Sequence, residues 1–125
     1  MSKLKSYTVP LTILDESTVI AATGVPVTGF LRGLAVTAGS MDSSDTYTIA
    51  ITDQNGITVF SRASLAESST TTIWADKYNE LSTTIVEGKL LNTPMAGPVT
   101  VTITASAEQN DAAVEFSVYI YYNEE

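Results

Sequence analysis

Val99-Thr100-Val101-Thr102-Ile103-Thr104-Ala105 and, further on, Val114-Glu115-Phe116-Ser117-Val118-Tyr119-Ile120-Tyr121-Tyr122 decide the fold class of this chain. In both stretches apolar and polar residues alternate with a period of two, the pattern of a strand with one face in a core and the other outside it. Val99, Val101, Ile103 and Ala105 share one face of the first; Val114, Phe116, Val118, Ile120 and Tyr122 share one face of the second. A four-residue loop, Glu108-Gln109-Asn110-Asp111, would make the two a hairpin. It pairs Ala105 with Val114, Ile103 with Phe116, Val101 with Val118 and Val99 with Ile120, so core residue meets core residue throughout.

The same reading extends toward the N-terminus. Thr46–Asp53 alternates Tyr47, Ile49 and Ile51 against Thr46, Thr48, Ala50 and Thr52, and runs into the turn signal Asp53-Gln54-Asn55-Gly56. A two-residue Asn55-Gly56 loop would set Ile51 opposite Phe60. A three-residue loop with Gly56 in the left-handed region sets Ile51 opposite Val59 and Asp53 opposite Ile57, keeping Ile49, Ile51, Ile57 and Val59 on one face; it is the preferred register. Thr28–Thr37 places Phe30, Leu34 and Val36 together, with Gly29 and Gly33 marking bends or a bulge. Tyr7–Leu14 alternates Tyr7, Val9, Leu11 and Ile13, with Pro10 suiting an edge strand. Thr71–Ala75 and Ile85–Leu91 read as short strands, Ser61–Thr72 as a loop or one short helix at Ala63–Ser68, and Asn92–Pro98 as a turn. Together these predict an all-β chain: a single antiparallel β-sandwich of about 7–9 short strands over residues 1–125, jelly-roll or immunoglobulin-like.

Composition narrows the chemistry. The chain has 125 residues, 44% of them hydrophobic and 16% charged, enough apolar material for one sizeable core. Thr and Ser make up roughly a quarter, which favours pleated surfaces. There is no cysteine and no histidine, so Ser-His-Asp, Cys-His and His-metal chemistry are excluded together, and only carboxylate, Lys or Tyr mechanisms remain open. The net charge of −8 repels phosphate backbones and anionic lipid alike, so neither nucleic acid nor a membrane is an expected partner. No apolar run reaches membrane-helix length, and the start Met1–Ser6 has no apolar stretch after its lysines, so no secretory signal is expected.

Each candidate site has a plainer alternative. Asp42 with Asp45, or Asp15 with Glu16, could form a carboxylate pair of the glycosidase type, but both lie in polar stretches that read as solvated turns. Asp53-Gln54-Asn55-Gly56 echoes the start of a calcium loop without the distal Glu, so it reads as a hairpin turn. Trp74 could stack on a sugar; a packed structural role is favoured. Tyr119 and Tyr121 fall on the face away from Phe116, Val118 and Ile120, where they form either an interface or a sheet face covered by a loop. Arg32, in an otherwise uncharged strand, snorkels to the surface or meets a partner's carboxylate. Residues 1–6, carrying Lys3 and Lys5, read as a mobile arm that orders on a neighbour. The expected interface set is therefore Tyr119, Tyr121, Arg32, Lys3 and Lys5. No catalytic residues, cofactor or metal are expected.

The run Gly24-Val25-Pro26-Val27-Thr28-Gly29-Phe30-Leu31-Arg32-Gly33, the segment Tyr47–Phe60 with its Asp-Gln-Asn-Gly turn, and the closing strand Val114–Tyr122 resemble small β-sandwich proteins encoded among the virion structural genes of tailed bacteriophages. The resemblance covers most of the chain. It implies a non-enzymatic capsid decoration (cement) protein, or a head-tail or tail accessory, made in the host cytoplasm and located in the virion. Its partners would be capsid or other virion proteins, and such proteins are often homotrimers. A carbohydrate-binding or adhesin-type module is the alternative, and a carboxylate-based enzyme a distant third.

Overall fold

The computed structural model describes residues 4–14, 16–42, 45–74, 93–109 and 113–124, with the backbone alone at 74 and 93. In chain order the strands are β1 (Lys5–Ile13), β2 (Val19–Val25), β3 (Gly29–Ala38), β4 (Thr46–Thr52), β5 (Thr58–Ala66), β6 (Thr70–Trp74), β7 (Thr93–Met95), β8 (Val99–Ala105) and β9 (Val114–Asn123). Among the described residues there is no α-helix, and none that could cross a membrane.

All strand pairs are antiparallel. One sheet runs β1-β9-β3-β6 with β7 beside the start of β3; the other runs β2-β8-β4-β5. The pairs β1·β9, β2·β8, β3·β6 and β4·β5 are the successive rungs of one long two-stranded ribbon whose tip is the β4–β5 turn. Rolling that ribbon so that its rungs fall alternately in the two sheets is the jelly-roll arrangement, which decides between the two sandwich types. Pro10, opposite Ser117, sits in β1 at the rim of its sheet, where a missing N–H breaks no ladder.

The ribbon also corrects the expected final hairpin. β8 pairs with β2 and β4, β9 with β1 and β3, so the two strands lie in different sheets. Their apolar faces both belong to the core, where Val99, Val101, Ile103, Phe116, Val118 and Ile120 are all at most 2% exposed. Alternation fixes the buried face of a strand but leaves its hydrogen-bonded neighbour open.

Bulges account for other departures. The β4–β5 loop has three residues as expected: Asp53 N–H donates to Ile57 O (2.9 Å), Gly56 N–H donates to Asp53 O (3.0 Å), and Gly56 has φ +79°. An irregularity one step later sets Ile51 opposite Phe60 instead of Val59. Val59 and Phe60 are both buried, while Ile57 is 62% exposed and outside the core. A second irregularity, where Ser64 has φ +61°, hides the strand character of Ser61–Ala66; no helix forms there. In β3 a bulge at Arg32 turns Leu31 into the core in place of Phe30, which is half-buried. Thr93–Met95, within the expected turn, pairs with Gly29–Leu31, and Ile85–Leu91 lies outside the described residues. β2 had no counterpart in the sequence reading. β1 takes in Lys5 and Ser6, so they are not part of an arm.

Between the sheets, Tyr47 and Phe116 meet edge to face with centroids 5.0 Å apart. Tyr47 is 1% exposed and its hydroxyl has no hydrogen-bond partner. Burial pushes this phenol up to about 12; the Thr71 side chain pulls weakly the other way without reaching hydrogen-bond geometry. The neutral phenol is thus the form the fold prefers. Its contribution is full below about pH 10 and is lost as pH rises toward 12, a change of about 3 kcal/mol. Tyr47→Phe should gain about 1 kcal/mol at neutral pH by removing the unpaired hydroxyl. The stability difference between the two proteins, followed by urea unfolding, should widen between pH 10 and 12; parallel curves would refute the assignment.

Candidate functional site

Along β9 the inward positions are Val114, Phe116, Val118, Ile120 and Tyr122, which leaves Glu115, Ser117, Tyr119 and Tyr121 facing out. Register then builds the outer face row by row. Tyr121 lies between Ser6 and Gly33, with Trp74 the next position across; Tyr119 lies between Thr8 and Ala35, then Thr72; Ser117 lies between Pro10 and Thr37, then Thr70. Gly33 and Ala35 are buried although they are on the outside. Their cross-strand neighbours are Tyr121 and Tyr119, both half-buried and large enough to reach over a Gly and an Ala. Thr37 and Thr70 hydroxyls meet at 3.1 Å. Among the described residues the charges of this face lie at its two ends, Glu115 at one and the bulge residue Arg32 at the other.

The expected cations gather at the other end of the same sheet. Arg32 is the bulge residue, half-buried, and its Nε donates to Asn123 Oδ1. Lys5 pairs with Glu124, both side chains about half exposed, a geometry worth about 0–1 kcal/mol. Both cations are therefore engaged within the chain around the end of β9. Gly29 has φ +112° there, and a Cβ would lie 2.0 Å from Asn123 O, so the backbone crossing needs glycine. Lys3 lies outside the described residues. The structure thus brings Tyr119 and Tyr121 onto one face, with Arg32 and Lys5 at its end.

Loop geometry accounts for Asp53 directly. Asp53 Oδ1 accepts from the N–H groups of Asn55 (2.9 Å) and Ile57 (3.1 Å), which makes it a turn residue. Asp42 opens a short turn in which Asp45 N–H donates to Asp42 O at 2.7 Å. Asp15 is outside the described residues, and among those described no group of three or more His, Cys, Asp or Glu could hold a metal. A shallow depression lined by Gly24, Pro26, Val27, Thr28, Gly97 and Pro98 carries no titratable side chain. The structure describes Trp74 by its backbone alone, so its expected packing concerns a side chain outside the described set.

Gln109 is the residue that sequence reasoning misplaced. Expected in a solvated hairpin loop, it is fully buried. Its Nε2 donates to Asp45 Oδ2 (3.0 Å) and Ala107 O (2.9 Å), and its Oε1 accepts from Asp42 N–H (2.8 Å). Its backbone carbonyl accepts from Glu16 N–H (2.6 Å) and its own N–H donates to Ser17 O (3.3 Å). One residue therefore ties three loops at the end of the sandwich, its side chain holding the loop of Asp42 and Asp45 to its own and its backbone holding the loop of Glu16 and Ser17. No periodicity announces this, because the partners are backbone groups and carboxylates of distant loops. Gln109→Ala leaves those partners unsatisfied and should cost about 2–4 kcal/mol in chemical denaturation; a loss under about 1 kcal/mol would show that water replaces it.

No protein-family model and no curated protein matches this sequence. Solved structures do match by shape. A chain of the capsid asymmetric unit of cyanophage Pam1 aligns over 97% of this chain and 86% of its own, with TM-score 0.54 and 18% identity. Bacillus endospore appendages, which form disulfide-linked pili, align over 100% and 92% with TM-score 0.48 and 14% identity. The capsid of Helicobacter pylori bacteriophage KHP30 aligns over 100% and 95% with TM-score 0.47 and 12% identity. The likeness to the Pam1 chain is one of fold.

Proposed function

We propose that this chain is a non-catalytic structural component of a phage particle, specifically a capsid decoration protein that docks through the outer face of the β1-β9-β3-β6 sheet. The observation carrying this reading is that face: two half-buried tyrosines beside Gly33 and Ala35, with charge among the described residues confined to its ends, in a chain of net charge −8. Interface centres are depleted in charge and enriched in tyrosine, so the middle of this face has the composition of an interface centre. The fold shared with a cyanophage capsid chain supports the virion setting by analogy. The lack of His and Cys supports a role in binding over catalysis. Partners are other virion proteins and further copies of this chain, with repeated weak contacts combined through effective concentration.

The test is co-sedimentation with phage heads that lack the protein. Saturable binding is expected, weakened at least about tenfold by Tyr121→Ala and by Tyr119→Ala, with thermal stability monitored alongside. Binding indifferent to both substitutions would remove this face from the contact, and no binding to any particle would remove the function.

A further inference from the structure

A jelly roll has four sheet edges, here among the described residues β1, β2, β5 and, sharing one flank of β3, β6 with the short β7. Open edges invite pairing with other chains, and proteins blunt them with proline, bulges or cover. β1 carries Pro10 at its middle, β2 has an irregularity between Ala22 and Val25, and β5 has two. β6, Thr70-Thr71-Thr72-Ile73-Trp74, is regular throughout its pairing with β3 and contains neither proline nor charge. Among the described residues, no strand pairs with its outer side.

Hydrogen-bond phase shows which groups that edge offers. Ala38 N–H donates to Ser69 O at 3.0 Å, so Ala38 and Ser69 form a hydrogen-bonded pair. Such pairs recur at every second residue, which assigns Val36 with Thr71 and Leu34 with Ile73 to the same class. The N–H and C=O groups of Thr70, Thr72 and Trp74 therefore point away from β3. On the other flank of β3, Gly39 N–H donates to Glu115 O at 2.8 Å, the opposite phase, as a central strand requires.

We propose that β6 pairs antiparallel with β6 of a second copy of this chain about a two-fold axis through Thr72. That register sets Thr72 opposite its own symmetry mate, Thr70 opposite Trp74, and Thr71 opposite Ile73. All the outward backbone groups are matched, and inward-facing Thr71 and Ile73 stay on one side. A second copy is the occupant because the edge is self-complementary. A Thr–Thr pair sits at the axis and no charge opposes another, whereas the rest of a chain with net charge −8 repels its like. The pairing is isologous and so gives a closed dimer, not the trimer that the phage resemblance implies. It stands independently of the particle-binding reading.

Light scattering on the purified full chain gives the test. A concentration-dependent dimer is expected. Thr72→Pro removes an N–H that serves only the outer edge, so it should keep the fold by circular dichroism while raising the dimer dissociation constant at least about tenfold. Because that variant could misfold, cysteine substitution in this cysteine-free chain supplies a second readout. Thr72→Cys should cross-link to its mate under mild oxidation, the two Cα atoms being about 5.5 Å apart in a hydrogen-bonded pair, while Thr8→Cys on β1 should not. A monomer at all concentrations, a dimer indifferent to Thr72→Pro, or equal cross-linking at both positions would overturn the proposal. So would a monomeric chain whose Thr72→Pro variant stops binding phage heads, since the edge would then belong to a strand of the particle.

Discussion

An apolar row on every second residue of a strand must be covered by another layer, and in this chain the cover comes from rolling one ribbon upon itself. The rungs β1·β9 and β3·β6 form one wall, β2·β8 and β4·β5 the other. Residues far apart in sequence become the two sides of one core, as Tyr47 and Phe116 show by meeting ring to ring. Loops at the ends then have to close over that core, and the buried Gln109 satisfies the backbone groups they would otherwise strand. Tyr47 shows the cost of the same burial: its ring fills the space between the walls, but its hydroxyl finds no partner.

Strands with strict alternation were legible in the sequence. β1, β4, β8 and β9 each display their inner faces as a clean row, and Asp53-Gln54-Asn55-Gly56 specified its own turn because few residues tolerate the left-handed position of Gly56. Partner choice was not legible. The rows of β8 and β9 fit one another as hairpin partners and fit equally well as opposite walls, since the pattern records only what is buried. Where a bulge inserts a residue, as at Arg32 or beside Phe60, the period breaks and the downstream face is misassigned. β2 escaped notice because Ala21, Ala22, Thr23 and Gly24 give an edge strand little apolar contrast. Of the site, alternation alone put Tyr119 and Tyr121 outside; Gly33 and Ala35 beneath them emerge only from the register between β3 and β9.

Charge placement separates the surfaces of the molecule by function. Glu16, Asp42, Asp45, Glu67, Glu108 and Glu115 all belong to the end where the loops tied by Gln109 converge, or to strand ends beside it; the described cations Lys5, Arg32 and Arg62 lie elsewhere. With charges screened over about 8 Å at physiological salt, an acidic end repels its like locally and leaves a neutral sheet face largely unaffected. Two copies, or a copy and an acidic particle, therefore meet most easily along the sheet face and its β6 edge.

Face and edge are also geometrically linked. Thr70 and Thr72 point their side chains onto the tyrosine-bearing face and their backbone groups out of the β6 edge. A two-fold axis normal to the sheet pairs β6 with its mate and keeps both outer faces on the same side. The larger sheet would then continue as β1-β9-β3-β6 into its symmetry copy, carrying two Tyr119/Tyr121 patches toward one surface. A particle built from repeated subunits offers repeated sites, so a rigid pair of patches binds the second site at the high effective concentration set by the first. Edge pairing of this kind converts an edge strand that carries neither proline nor irregularity among the described residues, otherwise an aggregation hazard, into the element that sets the spacing of the binding face.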